Sequence, residues 1–125
     1  MDVDNFKTVN DQFGHKSGDE LLKLVAKTLT DNFRSVDTIA RLGGDEFAIL
    51  MPETESVEVE NKIRIVQTSL LEKMNLKKWP ATFSFGIAVF TNLTLSPDEM
   101  LKTADLLMYK AKQGGKNCII IDIYA

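Results

Sequence analysis

Apolar and polar positions recur along this chain with two periods, and the switches between them mark its elements. Asn5 to Phe13 reads as a short helix that stops at Gly14, where glycine relieves the left-handed conformation that commonly ends helices. Ser17 and Glu20 have capping-box spacing, which predicts that the next helix starts at Ser17. Leu22, Val25, Leu29 and Phe33 supply its apolar stripe and carry it to about Phe33. Thr38 to Leu42 and Glu46 to Met51 are strand-like, and Gly43-Gly44 between them accepts the positive φ of a tight hairpin turn.

From Ser56 to Met74 the apolar residues Val59, Ile63, Val66, Leu70 and Met74 recur at helical spacing. After Pro80 the period changes to two: Phe83, Phe85, Ile87 and Val89 alternate with Ser84, Gly86 and Ala88, which predicts a strand with its bulky side chains on one face. Ser96-Pro97-Asp98-Glu99 combines a capping residue, a first-turn proline and first-turn acids, so a last helix starts there. Leu101, Ala104, Met108 and Ala111 are its expected buried stripe, Gly114-Gly115 its end, and Asn117 to Tyr124 a final strand. Met1-Asp2-Val3 leads into the first helix and is too short to be a strand on its own. This order predicts an α+β domain with an antiparallel component, since the central hairpin cannot be parallel.

Composition narrows the reading. At 125 residues one domain is expected, burying roughly two-thirds of the surface that its unfolded chain exposes. No apolar run approaches the ~20 residues that span a bilayer, so no membrane contact is expected. The single Cys118 lies beside the apolar run Ile119-Ile120-Ile121, where it cannot form an internal disulfide. Acids follow Met1 directly, without the basic start and apolar core of an export signal, and the expected location is cytoplasmic. A net charge of −3 argues against nucleic acid as a partner, which needs a basic stripe. A phosphate ligand would then need metal ions or a local basic cluster.

The first candidate chemistry is acidic: Asp2 and Asp4 near the start, Asp45 and Glu46 at the hairpin turn. Mg²⁺ prefers oxygen ligands and commonly binds through one or two carboxylates together with substrate phosphates. Two such ions suit phosphoryl transfer. Isolated acids are usually just solvated, so these residues make a site only if they meet in space.

Several blocks occur in order: Asp2-Val3-Asp4-Asn5-Phe6-Lys7, Asn10-Asp11, Gly14-His15, Gly18-Asp19 and Arg41-Leu42-Gly43-Gly44-Asp45-Glu46-Phe47. Ser84-Phe85-Gly86-Ile87-Ala88, then Ala104-Asp105-Leu106-Leu107-Met108-Tyr109-Lys110-Ala111-Lys112 and Gly114-Gly115-Lys116-Asn117 continue the series. Together they resemble the GGDEF family over nearly the whole chain. The resemblance implies a diguanylate cyclase with a palm-like fold, akin to nucleotide cyclases: a central, mainly antiparallel sheet flanked by helices. Asp2 and Asp45 would be metal ligands through their side chains and Val3 through its carbonyl, with Mg²⁺ or Mn²⁺ as cofactor. Asp45 and Glu46 are the implied catalytic acids, the part played by Glu46 remaining open.

The same resemblance assigns the backbone amides of Asn5, Phe6 and Lys7 to phosphate oxygens, which suits a helix start. Lys112 and Lys116 would neutralise triphosphate charge; the second position is more often arginine in the family, and lysine keeps the charge without the bidentate fork. Asn10 and Asp19 match positions that read guanine, whose N1–H and amino protons a carboxylate can accept together. His15 falls in a structural Gly-His segment. Arg34 and Asp37 lie where the family binds its own product as an inhibitor, although Arg-x-x-Asp also describes a plain surface ion pair. The implied partners are GTP, cyclic di-GMP as product and inhibitor, and a second GGDEF domain as the other half of a catalytic dimer.

Relative to the family, the leading helix and most of the first strand are expected to be missing from residues 1–125. The alternative function is a non-catalytic module that binds GTP or cyclic di-GMP. An RNA-binding fold has little support, because the chain is acidic and shows no aromatic recognition motif.

Overall fold

The computed structural model describes residues 1–92 and 94–124. Its elements are β1 (Asp2–Asp4), α1 (Phe6–Phe13), α2 (His15–Asn32), β2 (Thr38–Gly43), β3 (Glu46–Leu50), α3 (Ser56–Lys77), β4 (Thr82–Phe90), α4 (Pro97–Gln113) and β5 (Ile119–Tyr124). The strands form one sheet in the order β2-β3-β1-β4-β5. All neighbours are antiparallel except β4 and β5, which run parallel with α4 as their crossover. The α+β class and the mainly antiparallel sheet expected from the sequence are both present.

Two helices cover one face of the sheet. The stripes on α2 (Leu21, Val25, Leu29) and α3 (Val66, Leu70, Met74) are buried against Val3, Phe47, Phe83 and Phe85 in a single cluster. Each such side chain contributes about 1.5–3 kcal/mol when fully buried. The opposite face receives α4. Gly86 points to that side of β4, and a Cβ there would collide with backbone atoms of Ala104 and Met108 and lie 2.8 Å from the Leu107 carbonyl carbon. The missing side chain is what lets helix and strand approach.

Four expectations change. Asp2–Asp4 is a strand after all, because it does not stand alone: Asp2 faces Glu46 on β3, while Asp2, Val3 and Asp4 face Ser84, Phe83 and Thr82 on β4. Pairing along both edges makes a three-residue strand sufficient.

The second helix starts at His15, not at Ser17. Gly14, at φ 91°, donates its N–H to the Asn10 carbonyl at the end of α1 and accepts from Gly18 N–H at the start of α2. A one-residue junction leaves no place for a separate capping box, and Ser17 lies inside the first turn.

α3 runs on to Lys77, where Lys78 at φ 60° closes it. On α4 the buried residues are Leu107, Met108 and Ala111, with Ala104 half-buried beside them, Leu107 3% exposed and Leu101 43%. The close approach at Gly86 sets the rotation of α4, so its first turn overhangs the sheet and Leu101 borders a shallow hollow beside Leu42 and Asp105.

Candidate active site

Strand pairing brings the acids together. Asp2 sits opposite Glu46, and the Val3 N–H donates to the Asp45 carbonyl at 3.1 Å. The hairpin turn that presents Asp45 depends on Gly43 at φ 144° and Gly44 at φ 51°, conformations that side chains oppose. Arg41 Nε holds the turn by donating to the Gly44 carbonyl at 2.9 Å.

Burial, and then the neighbouring Asp2 charge, push the Asp45 carboxyl above its ordinary pKa. Asp2 Oδ2 pairs with Lys112 Nζ at 2.9 Å, whereas Asp2 Oδ1 is buried with no hydrogen-bond partner among the described residues. An orphaned carboxylate oxygen next to a second, crowded carboxylate fits a hard divalent cation. Among the described residues no group of three or more acidic, histidine or cysteine side chains stands ready to hold such an ion. Asp2 and Asp45 are the two carboxylates brought together there.

Asp4 has a function that sequence reasoning did not find. It is fully buried and accepts from Thr82 Oγ1 at 2.9 Å, Ser84 Oγ at 2.8 Å, Lys112 Nζ at 3.1 Å and the Asn117 N–H at 3.0 Å. Burial alone would raise its pKa, but the bonds from Ser84, the Asn117 N–H, Lys112 and Thr82 together hold it below the usual carboxylate range. Asp4 is therefore the internal anchor between β1, β4 and the end of α4. The available signal was the Asp-x-Asp spacing, which puts Asp2 and Asp4 on one face of a strand. Lys112, implied as a phosphate ligand, pairs here with both.

The implied phosphate-binding residues cluster beside this anchor. Asn5 is the N-cap of α1, at φ 64°, and its side chain makes no capping bond to the amides at the helix start. Lys116 Nζ reaches Asn5 Oδ1 at 3.4 Å, and Asn5 Nδ2 donates to the Pro80 carbonyl at 3.1 Å. Phe6 is half-buried and Lys7 exposed. Asn10, farther along α1, is half-buried and packs against Gly18; Asp19 is exposed in the second turn of α2, and His15 is exposed at its start.

Arg34 and Asp37 stand apart, at the opposite end of the β2–β3 hairpin from Asp45. Arg34 Nη2 donates to Asp37 Oδ1 at 2.9 Å, the Pro52 carbonyl at 2.9 Å and Thr54 Oγ1 at 2.8 Å. In this arrangement the guanidinium ties the start of β2 to the segment after β3. Arg64, on α3, pairs with Glu60 at 2.8 Å.

The five-stranded sheet is palm-like, and its paired acids lie at a Gly-Gly hairpin. Residues 1–118 match the family described as diguanylate cyclase, GGDEF domain, and the chain belongs to that family. It is 38% identical over 121 residues to YhcK of Bacillus subtilis, covering 94% of this chain and 34% of that protein. To the diguanylate cyclase DosC of Escherichia coli it is 37% identical over 123 residues, covering 94% of this chain and 26% of DosC. The chain thus spans about a third or less of these relatives. The structure of the active GGEEF domain of a diguanylate cyclase from Vibrio cholerae superposes with a TM-score of 0.84 at 27% identity, covering 99% of this chain and 80% of that one. No helix among the described residues is long and apolar enough to cross a membrane.

Proposed function

We propose that this domain binds GTP and, paired with a second copy, condenses two GTP into cyclic di-GMP. The observation that carries the reading is Asp2 and Asp45 side by side at the β1–β3 junction, with Asp2 Oδ1 unpartnered among the described residues. In each of two steps a 3′-oxygen forms a bond to the α-phosphorus of the facing GTP, the α–β bridging bond breaks, pyrophosphate leaves and the hydroxyl proton is released. One GTP per domain supplies one attacking hydroxyl and one phosphate, so both bonds require a two-fold pair of domains.

Asp2, Asp45 and the Val3 carbonyl would hold Mg²⁺ or Mn²⁺. Such an ion supplies positive charge that makes the attacking hydroxyl more acidic and offsets charge on the leaving pyrophosphate. The amides at the start of α1 orient the phosphates, and Lys116 adds a cation beside them. Lys112 balances the acids of β1 and would add a further cation for the same phosphates. Asn10 and Asp19 select guanine.

The test is to incubate the protein with GTP and Mg²⁺ and analyse the products by mass. Product is expected from the natural sequence and none from Asp45→Ala, with unchanged circular dichroism. Normal product formation by Asp45→Ala would refute the assignment of the acids. GTP binding without product, in a dimer as well as a monomer, would instead establish a binding module.

A further inference from the structure

Gly18 is a helical residue whose backbone does not need glycine, since it is not among the residues at positive φ. Glycine weakens a helix interior relative to alanine. Its presence in the second turn of α2 therefore has another cause, and the surroundings supply one. A Cβ at this position would overlap Asn10 Oδ1 and lie 2.9 Å from Asn10 Cγ and 3.3 Å from Phe6 Cζ. The obstacle is chiefly the end of a side chain that can rotate away. Substitution would move the Asn10 carboxamide with little disturbance of the backbone.

That carboxamide lies against the residue immediately before Asp19. We propose that Gly18 is a positioning residue for base recognition: having no side chain, it lets the Asn10 carboxamide rest on the surface of α2 beside Asp19, so that both polar groups address one guanine. The inference rests on the reading of Asn10 and Asp19 as the guanine-binding pair. Any side chain at 18 tilts the carboxamide off that surface and separates the pair.

The test compares binding of GTP and of inosine triphosphate, which lacks the 2-amino group, by calorimetry to the natural sequence, Gly18→Ala, Asn10→Ala and the double variant. Gly18→Ala is expected to weaken GTP binding about tenfold, the scale of one misplaced hydrogen bond. Inosine triphosphate should lose less, so the preference for GTP shrinks, while the thermal midpoint stays at or above that of the natural sequence. In the Asn10→Ala background, adding Gly18→Ala should change neither affinity.

Unchanged GTP affinity and preference in Gly18→Ala would overturn the inference, as would an equal loss in the Asn10→Ala background. A lowered midpoint that Asn10→Ala does not restore also overturns it, because helix packing would then be what requires the glycine. If the natural sequence itself binds GTP no better than inosine triphosphate and ATP, the guanine reading fails first, and that arm separates the two failures.

Discussion

The Asp4 carboxylate accepts the Asn117 N–H at 3.0 Å, joining residues 113 positions apart. This bond holds a turn in which Lys116 and Asn117 are both left-handed, at φ 64° and 49°. Such conformations cost non-glycine residues about 1–3 kcal/mol each and persist only where surrounding contacts impose them. The turn in turn keeps Lys116 beside the start of α1.

Removing Asp4 should accordingly be costly. Asp4→Ala leaves Lys112, Ser84 and the Asn117 N–H without this acceptor in a buried setting and should destabilise the domain by about 3–5 kcal/mol. Asp4→Asn, which keeps an acceptor but not the charge, should cost less. Urea denaturation monitored by Trp79 fluorescence measures both, and a loss below about 1 kcal/mol for alanine would show that Asp4 is no anchor.

Gly86→Ala places a methyl group against the backbone of α4, where no side chain can yield. The expected cost is about 1–3 kcal/mol or more, the scale of an overpacked core. The contrast with Gly18→Ala is informative, because there the neighbour is a movable carboxamide. Equal thermal midpoints for the two variants would contradict this distinction.

The two serines that begin capping-box patterns should differ. Ser96 Oγ accepts the Glu99 N–H at 3.2 Å, and Glu99 Oε2 accepts the Ser96 N–H at 3.3 Å. Ser96→Ala should therefore cost about 0.5–2 kcal/mol. Ser17→Ala, inside the first turn of α2, should be close to neutral or stabilising. Chemical denaturation of the pair decides whether capping or composition governs these helix starts.

Asp37 gives the domain an acid-sensitive contact. The Arg34 guanidinium hydrogen-bonds its carboxylate and holds the carboxyl below its ordinary pKa, against the upward push of burial. A depressed folded-state value means that its stabilisation is complete above the unfolded pKa of about 3.9 and fades as pH falls through the lower folded value. Asp37→Asn should lower the melting temperature at neutral pH, and the gap to the natural sequence should close below about pH 4. A gap that persists unchanged at pH 2.5 would assign the effect to shape instead of charge.

What could be read from the sequence followed from locality. The α3 stripe was legible because all five of its apolar positions, Val59 to Met74, are buried along one helical face. The capping box at Ser96 was legible because both of its bonds join residues three apart in sequence. Ser17 misled because the junction at Gly14 uses the preceding residues, and Leu101 misled because the rotation of α4 is set by Gly86 on another element. β1 was invisible because its pairing partners lie far along the chain. The acids at 2, 45 and 46 could be joined only through family resemblance, and the work of Asp4 shows only when its four partners are seen around it.

The strand order also carries a kinetic consequence. β1 is first in sequence, yet it lies between β3 and β4, with Asp2 facing Glu46 on one side and Ser84 on the other. The β2–β3 hairpin and the helices can form from nearby residues, whereas β1 must wait for contacts of high sequence separation, which slow folding. Lys112 and Asn117 come later still in synthesis. The acidic centre is thus completed only near the end of folding, and a partly folded chain displays the Gly-Gly hairpin before Asp2 has been brought against it.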